Sequence, residues 1–133
     1  MKEKKPRKVK IPKTRNAGTW TESEYFSRIR SSLRRVFRYF KPMQLALEKA
    51  SRPNQSSNKK LKKEYQCAHC KQWFKRADVE IDHIQEAGSL KCYDDIVPFL
   101  IRLTSENVED YQILCKEKCH AKKTKEYRES KKN

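Results

Sequence analysis

Four of the five cysteines stand in two close pairs, Cys67-x2-Cys70 and Cys115-x3-Cys119, and Asp82-His83 and His120 are set among them. Two thiol pairs separated by a long insertion suit tetrahedral zinc, each pair giving two thiolates from one tight turn. The second spacing is one residue longer than the commonest form. Four thiolates already fill such a site, so His69, inside the first pair, is expected as an exposed side chain. Cys92, the fifth cysteine, is expected as a small buried hydrophobe near a helix start. A carboxylate beside an imidazole divides two tasks. Asp82 can hold a divalent cation, while neutral His83 takes a proton from water, which a group titrating near neutrality does well. His120, next to a zinc-bound Cys119, can supply a second cation ligand. This oxygen and nitrogen donor set accepts magnesium or manganese, with zinc or nickel as alternatives. Taken singly, Asp82-His83 reads as a hydrogen-bonded surface pair and His120 as a helix-start residue. Set together in one zinc framework, the three read as a site.

The elements that must position these groups follow from periodicity. Val79-Glu80-Ile81-Asp82-His83-Ile84 reads as a strand. Asp82 and His83 would face opposite ways in a regular strand, so they are expected at its end, where the geometry departs from regular. Residues 64–75 read as a hairpin turning at the first cysteine pair, with Trp73 and Phe74 over the metal. Residues 85–90, with Gly88, read as a loop. Residues 93–103 form a helix begun by Asp94 and Asp95, and 110–114 a second short strand. A last helix runs from about His120 into a basic tail of Lys122, Lys123, Lys125, Arg128, Lys131 and Lys132.

Upstream, Thr21-Glu22-Ser23-Glu24 has the capping-box pattern, with Thr21 as N-cap. Tyr25, Ile29, Leu33, Val36 and Phe40 follow at helical spacing, widened by Phe26 and Phe37. Arginines, among them Arg30, Arg34 and Arg38, cover the remaining surface of this helix. Pro42 ends it and starts a second, shorter one. The chain therefore divides into a basic arm (1–18), disordered when free, a helical extension (19–52), a polar basic linker (53–63) and a core with a basic tail (64–133).

The chain has 133 residues, 35% hydrophobic and 38% charged, with a formal charge of +16 and a pI near 9.8. A large apolar core is not available at this size and composition, which favours a metal staple. The clustered positive charge predicts a polyanionic partner, double-stranded DNA first. No membrane-spanning or secretory segment is read, and the cysteine usage fits a reducing cytoplasm.

Residues 65–127 resemble the HNH endonuclease family, with its ββα-metal core, and more loosely its small phage-encoded members. The resemblance rests on Cys67-x2-Cys70, on Val79-Glu80-Ile81-Asp82-His83-Ile84, and on Tyr111-Gln112-Ile113-Leu114-Cys115 continuing to Cys119-His120 and Lys122-Lys123-Thr124. It implies an α+β fold, a small zinc-stapled ββα-metal core carrying a helical N-terminal extension and basic arm. It implies His83 as general base on a scissile phosphodiester, Asp82 and His120 as holders of one catalytic cation, and the host cell cytoplasm if phage-encoded. Asp110 stands where the family's middle Asn helps to fix the base. Ionised Asp accepts a hydrogen bond but does not donate one, and Asn107 is the nearest substitute. Arg30, Arg34, Arg38, Lys122, Lys123 and Lys125 are the expected phosphate contacts, and residues 20–51 the expected source of sequence preference. One site per chain makes nicking the natural act of a monomer; double-strand cutting calls for a dimer. Two other classes compete. A non-catalytic zinc-containing nucleic-acid-binding protein with a lapsed site predicts binding without cleavage in any cation. A protein-binding zinc module predicts little nucleic-acid affinity at physiological salt.

Overall fold

The computed structural model describes residues 2–131, so Lys132 of the basic tail lies outside the described residues. The fold is α+β, and its centre is an antiparallel pair, β6 (Val79–His83) with β7 (Tyr111–Cys115), in unbroken register from Val79 opposite Cys115 to His83 opposite Tyr111. Side chains alternate across such a ribbon. Val79, Ile81 and Ile113 therefore share one face, and Glu80, Asp82, Gln112 and Leu114 the other. The first face packs under Leu47 of α2 (Lys41–Lys49), with Tyr65 and Phe74 beside it. Asp82, on the second face, meets Lys123 of α4 (Ala121–Ser130) and His120 just before it.

The helical extension belongs to the same body. Helix α1 (Glu22–Val36) starts where Thr21 Oγ1 accepts the Glu24 amide, half of the expected capping box. Phe26 of α1 is buried with Ala87, Leu90, Phe99 and Leu103, and Tyr25, Ile29, Leu33 and Phe37 pack around them. Phe99 and Leu103 come from α3 (Ile96–Leu103), whose Pro98 sits in the first turn, where a missing amide leaves no bond unmade. The apolar stripe leaves out Val36, which is 74% exposed. The helix stops there, and a turn leads to Pro42 in the first turn of α2.

The arm, the linker segment and Cys92 differ from the expectations in detail. The arm is irregular and exposed only over residues 2–12. β1 (Lys13–Arg15) pairs with β2 (Trp20–Thr21) through a turn in which Asn16, Ala17 and Gly18 all have positive φ. Arg15 is fastened there by Glu22, with Nε 2.8 Å from Oε2, and by the ring of Tyr25. The expected linker, residues 53–63, runs between two strands that pair with each other. β3 (Ser51–Pro53) pairs with β4 (Lys63–Gln66), which pairs with β5 (Trp73–Phe74). Finally, Cys92 is exposed rather than buried.

The β3–β4 pair carries a partly buried ion pair. Arg52 Nε lies 2.6 Å from Glu64 Oε1, with side-chain exposures of 33% and 9%, and the guanidinium stacks 3.7 Å from the Trp73 ring centroid. Trp73 thus sits under Arg52, while Phe74 alone of the expected pair packs against the cysteines. Arg52→Ala strands the Glu64 carboxylate in a site that water barely reaches. The expected loss is about 2 kcal/mol, below the value for a wholly buried pair because Arg52 is one-third exposed. Urea denaturation measures it, and a loss within error of zero would count against the pair as a fastening of the extension.

Candidate functional site

The sulfur site is built by two turns at the ends of the central ribbon. The β4–β5 hairpin turns through Cys67 and Cys70, helped by Lys71 at a φ of 62°. Beyond β7 the chain makes one widened π-type turn, Lys116–His120, before α4 begins. The extra residue of Cys115-x3-Cys119 is absorbed in that turn, where the Cys119 amide donates to Cys115 Sγ at 3.4 Å. The four Sγ atoms lie within 4.8 Å of one another, with Cys67 and Cys115 buried and Cys70 and Cys119 half-buried. Four thiolates at about 2.3 Å from one ion fit this spread, so the residues suit a structural metal.

Protonation follows position. Burial pushes the Cys67 thiol up, but amides of Cys70, Cys115 and His69 bond its sulfur and bring it down to about 6. Burial and the neighbouring sulfurs of Cys115 and Cys67 push Cys119 up to about 12. A bound cation would lower the pKa of the thiols that hold it. His69 is exposed, as expected, and its Nδ1 lies 3.5 Å from Cys119 Sγ.

The widened turn also sets the direction of His120. Its Nε2 lies 3.7 Å from Oδ1 of Asp82, whose residue is 5% exposed. Gln112, opposite Asp82 on β7, donates from Nε2 to Oδ2 at 2.9 Å. Lys123 Nζ reaches the same Oδ2 at 2.5 Å. A hard carboxylate oxygen and an imidazole nitrogen at this separation, on one face of the ribbon, fit two positions around a divalent cation.

His83 faces the other way. The expected departure from regular strand geometry is absent: His83 is the last residue of β6, in register with Tyr111, so it points away from Asp82. The ring is held edge-on to Tyr111, centroids 5.0 Å apart, and its Nε2 lies 3.1 Å from the Leu103 carbonyl. A carbonyl only accepts, so Nε2 carries the hydrogen and Nδ1 keeps the free lone pair. Burial holds the His83 pKa below its ordinary 6.5, which keeps the imidazole neutral, as a base requires.

Asp110 does not orient this base. Its carboxylate accepts from Ser105 Oγ, and its carbonyl accepts the Ile84 amide at 3.0 Å, closing the end of the ribbon. Asn107 caps the turn before β7 through the Glu109 amide. The orienting group is the Leu103 carbonyl. It lies at the C-terminus of α3, where carbonyls have no partner within the helix. No side-chain pattern announces it.

The expected phosphate contacts separate into groups. Arg34 and Arg38 line a surface hollow with His83, joined by Arg76 and Lys116, two residues not singled out from the sequence. Burial, and then the charge of Arg30, lower the Arg34 pKa, although the residue as a whole is exposed. Arg30 itself turns inward, donating from Nε to the Gly88 carbonyl at 3.1 Å. Lys125 and Arg128 line a second hollow with His120, and Lys116 borders both. Lys122 lines a third, beside His69 and Gln112. Among the described residues no helix is long and apolar enough to cross a membrane.

Comparisons of this chain with protein-family models, with curated proteins and with solved structures give no match.

Proposed function

We propose that this chain is a metal-dependent endonuclease of the HNH type that nicks double-stranded DNA. One observation carries the reading: Asp82 and His120 converge on one side of the end of the β6–β7 ribbon, while a neutral His83, held by the Leu103 carbonyl, lines a hollow on the other. A divalent cation held by Asp82 and His120 would polarise the phosphate and stabilise the leaving 3′ oxygen. His83 Nδ1 takes the proton from the attacking water. Arg34, Arg38, Arg76 and Lys116 on the His83 side, with Lys125 and Arg128 on the His120 side, hold phosphates flanking the scissile bond. The formal charge of +16 supports the polyanionic substrate. In this reading the extension forms a wall of the site rather than a detached reader of sequence, since Arg34 and Arg38 come from α1 and the turn after it.

The test is supercoiled plasmid with magnesium, manganese or EDTA, with bound zinc measured alongside. Open-circle product that EDTA abolishes while zinc is retained is the expected result, and linear product at the earliest times identifies a dimer. The second reading, a zinc-containing nucleic-acid-binding protein with a lapsed site, is favoured by the Asp110 carboxylate being turned to Ser105. Salt-sensitive DNA binding without cleavage in any cation would establish it instead.

A further inference from the structure

Lys122 and Lys123 are neighbours on α4 and line the same hollow beside His69 and Gln112, but Lys123 also reaches Asp82. Lys123 is folded against the end of the ribbon, its side chain 27% exposed. Its ammonium lies 2.5 Å from Asp82 Oδ2, 2.7 Å from the His83 carbonyl, 3.2 Å from the Ile84 carbonyl and 3.7 Å from Glu86 Oε1. An ammonium has three hydrogens to donate, and the carboxylate and two carbonyls take them. Carboxylate and carbonyl oxygens gathered on one positive charge make the kind of cradle that a hard cation uses. Asp82 is the shared member: Oδ2 faces Lys123, and Oδ1 faces His120.

We propose that Lys123 is a built-in counter-ion that gates cation binding at Asp82–His120. This rests on the reading that those two residues hold a divalent cation. Lys123 is a positioning residue: it fixes the Asp82 carboxylate and, by its charge, opposes a second positive charge on the same group. A phosphodiester arriving beside it offers the ammonium another anionic partner. Lys123 then turns from Asp82 to phosphate, and the carboxylate is released to the cation. Cation and DNA consequently bind with positive coupling, each raising the affinity for the other by the same factor.

Manganese binding to the full, zinc-loaded chain tests this without reference to cleavage, by the loss of the free-ion electron paramagnetic resonance signal. Without DNA, Lys123→Met is expected to bind manganese about tenfold more tightly than the wild type, because the opposing charge is gone. Lys123→Arg, which keeps the charge, is expected to stay weak. Lys123→Gln serves as a second neutral variant where Met disturbs α4. In a His83→Ala background a short DNA duplex, corrected for its own manganese, is expected to raise the affinity, and adding Lys123→Met should remove most of that rise. Neutral variants that bind manganese no more tightly than the wild type, with Asp82→Asn still abolishing binding, would overturn the gate and leave the cation site standing. Manganese that ignores Asp82→Asn, or fails to bind any folded variant, would overturn the cation site and the gate together.

Discussion

Cys67→Ser is expected to release the structural metal, zinc in the proposed reading, and to unfold the body around β4, β5 and β7. Cys67 is wholly buried and is the lowest-titrating of the shifted thiols, and Leu114 and Cys115 pack directly on it. Little apolar mass is available to compensate. The other two buried clusters have five and three members, Phe26 with its partners under α1 and Leu47, Val79 and Ile113 under α2. Structural zinc contributes on the order of 10–16 kcal/mol in zinc-finger peptides, whereas a domain's whole margin is about 5–15 kcal/mol. Losing one of four ligands therefore places the fold near or below its threshold. The measurement is zinc content together with thermal unfolding by circular dichroism, in the wild type, in Cys67→Ser and after prolonged exposure to a strong chelator. Loss of the cooperative transition in both treated samples is expected. Cys92→Ser is the control: Cys92 is exposed and outside the cluster, and both zinc and transition should be unchanged. A Cys67→Ser chain that melts as the wild type does would mean that the four sulfurs are packed thiols rather than ligands.

The cysteine pairs could be read before any fold was known because a tetrahedral site constrains spacing within each pair, and spacing is written in the chain. The same holds for Val79–His83, where alternation marks a strand, and for His120, fixed next to a ligand. What could not be read depends on groups with no local signature. The hairpin of Lys13–Arg15 with Trp20–Thr21 is too short for periodicity to show, and it exists because three consecutive residues accept positive φ and Arg15 finds Glu22 and Tyr25. The Arg52–Glu64 pairing, which turns an apparent linker into a sheet, joins strands of three and four residues across a loop whose composition alone reads as disordered. Cys92 was expected inside by residue type, yet its immediate neighbours Lys91 and Tyr93 are exposed and carry it outward. The orientation of His83 comes from a main-chain oxygen at Leu103, which any residue there would supply. The different fates of Lys122 and Lys123 follow from the rotational setting of α4. A helix turns about 100° per residue, so the widened Lys116–His120 turn decides which lysine meets Asp82.

On the proposed endonuclease reading, His83→Ala is expected to lower the nicking rate by about 10²–10⁴-fold, the range that a positioned proton acceptor contributes, while metal content and DNA affinity stay at wild-type values. The size of the effect follows from how firmly the ring is set. Leu103 fixes the tautomer, Tyr111 fixes the plane, and burial keeps the base neutral, so no reorganisation is needed before proton transfer. Affinity should survive because Arg34, Arg38, Arg76 and Lys116 around it are untouched. Arg34→Ala is expected to show the opposite split, a weaker apparent affinity with a smaller change in the saturated rate. Acidity supplies an independent readout. Only neutral His83 accepts a proton, and burial lowers its pKa, so the rate should rise with pH through a midpoint below 6.5 and be level by neutrality. A divalent cation on Asp82, if bound as proposed, would add positive charge and move that midpoint further in the same direction. The same sign applies to folding. A histidine held neutral contributes stability that is complete above its ordinary value of 6.5 and is lost as pH falls from there through its lower folded value. Single-turnover nicking between pH 5 and 8, with circular dichroism at each pH to separate unfolding from chemistry, measures both. An acid limb that persists unchanged in the residual activity of His83→Ala would assign that limb to another group. Wild-type nicking by that variant would remove His83 from the reaction altogether and return the site to its zinc-bound, DNA-holding alternative.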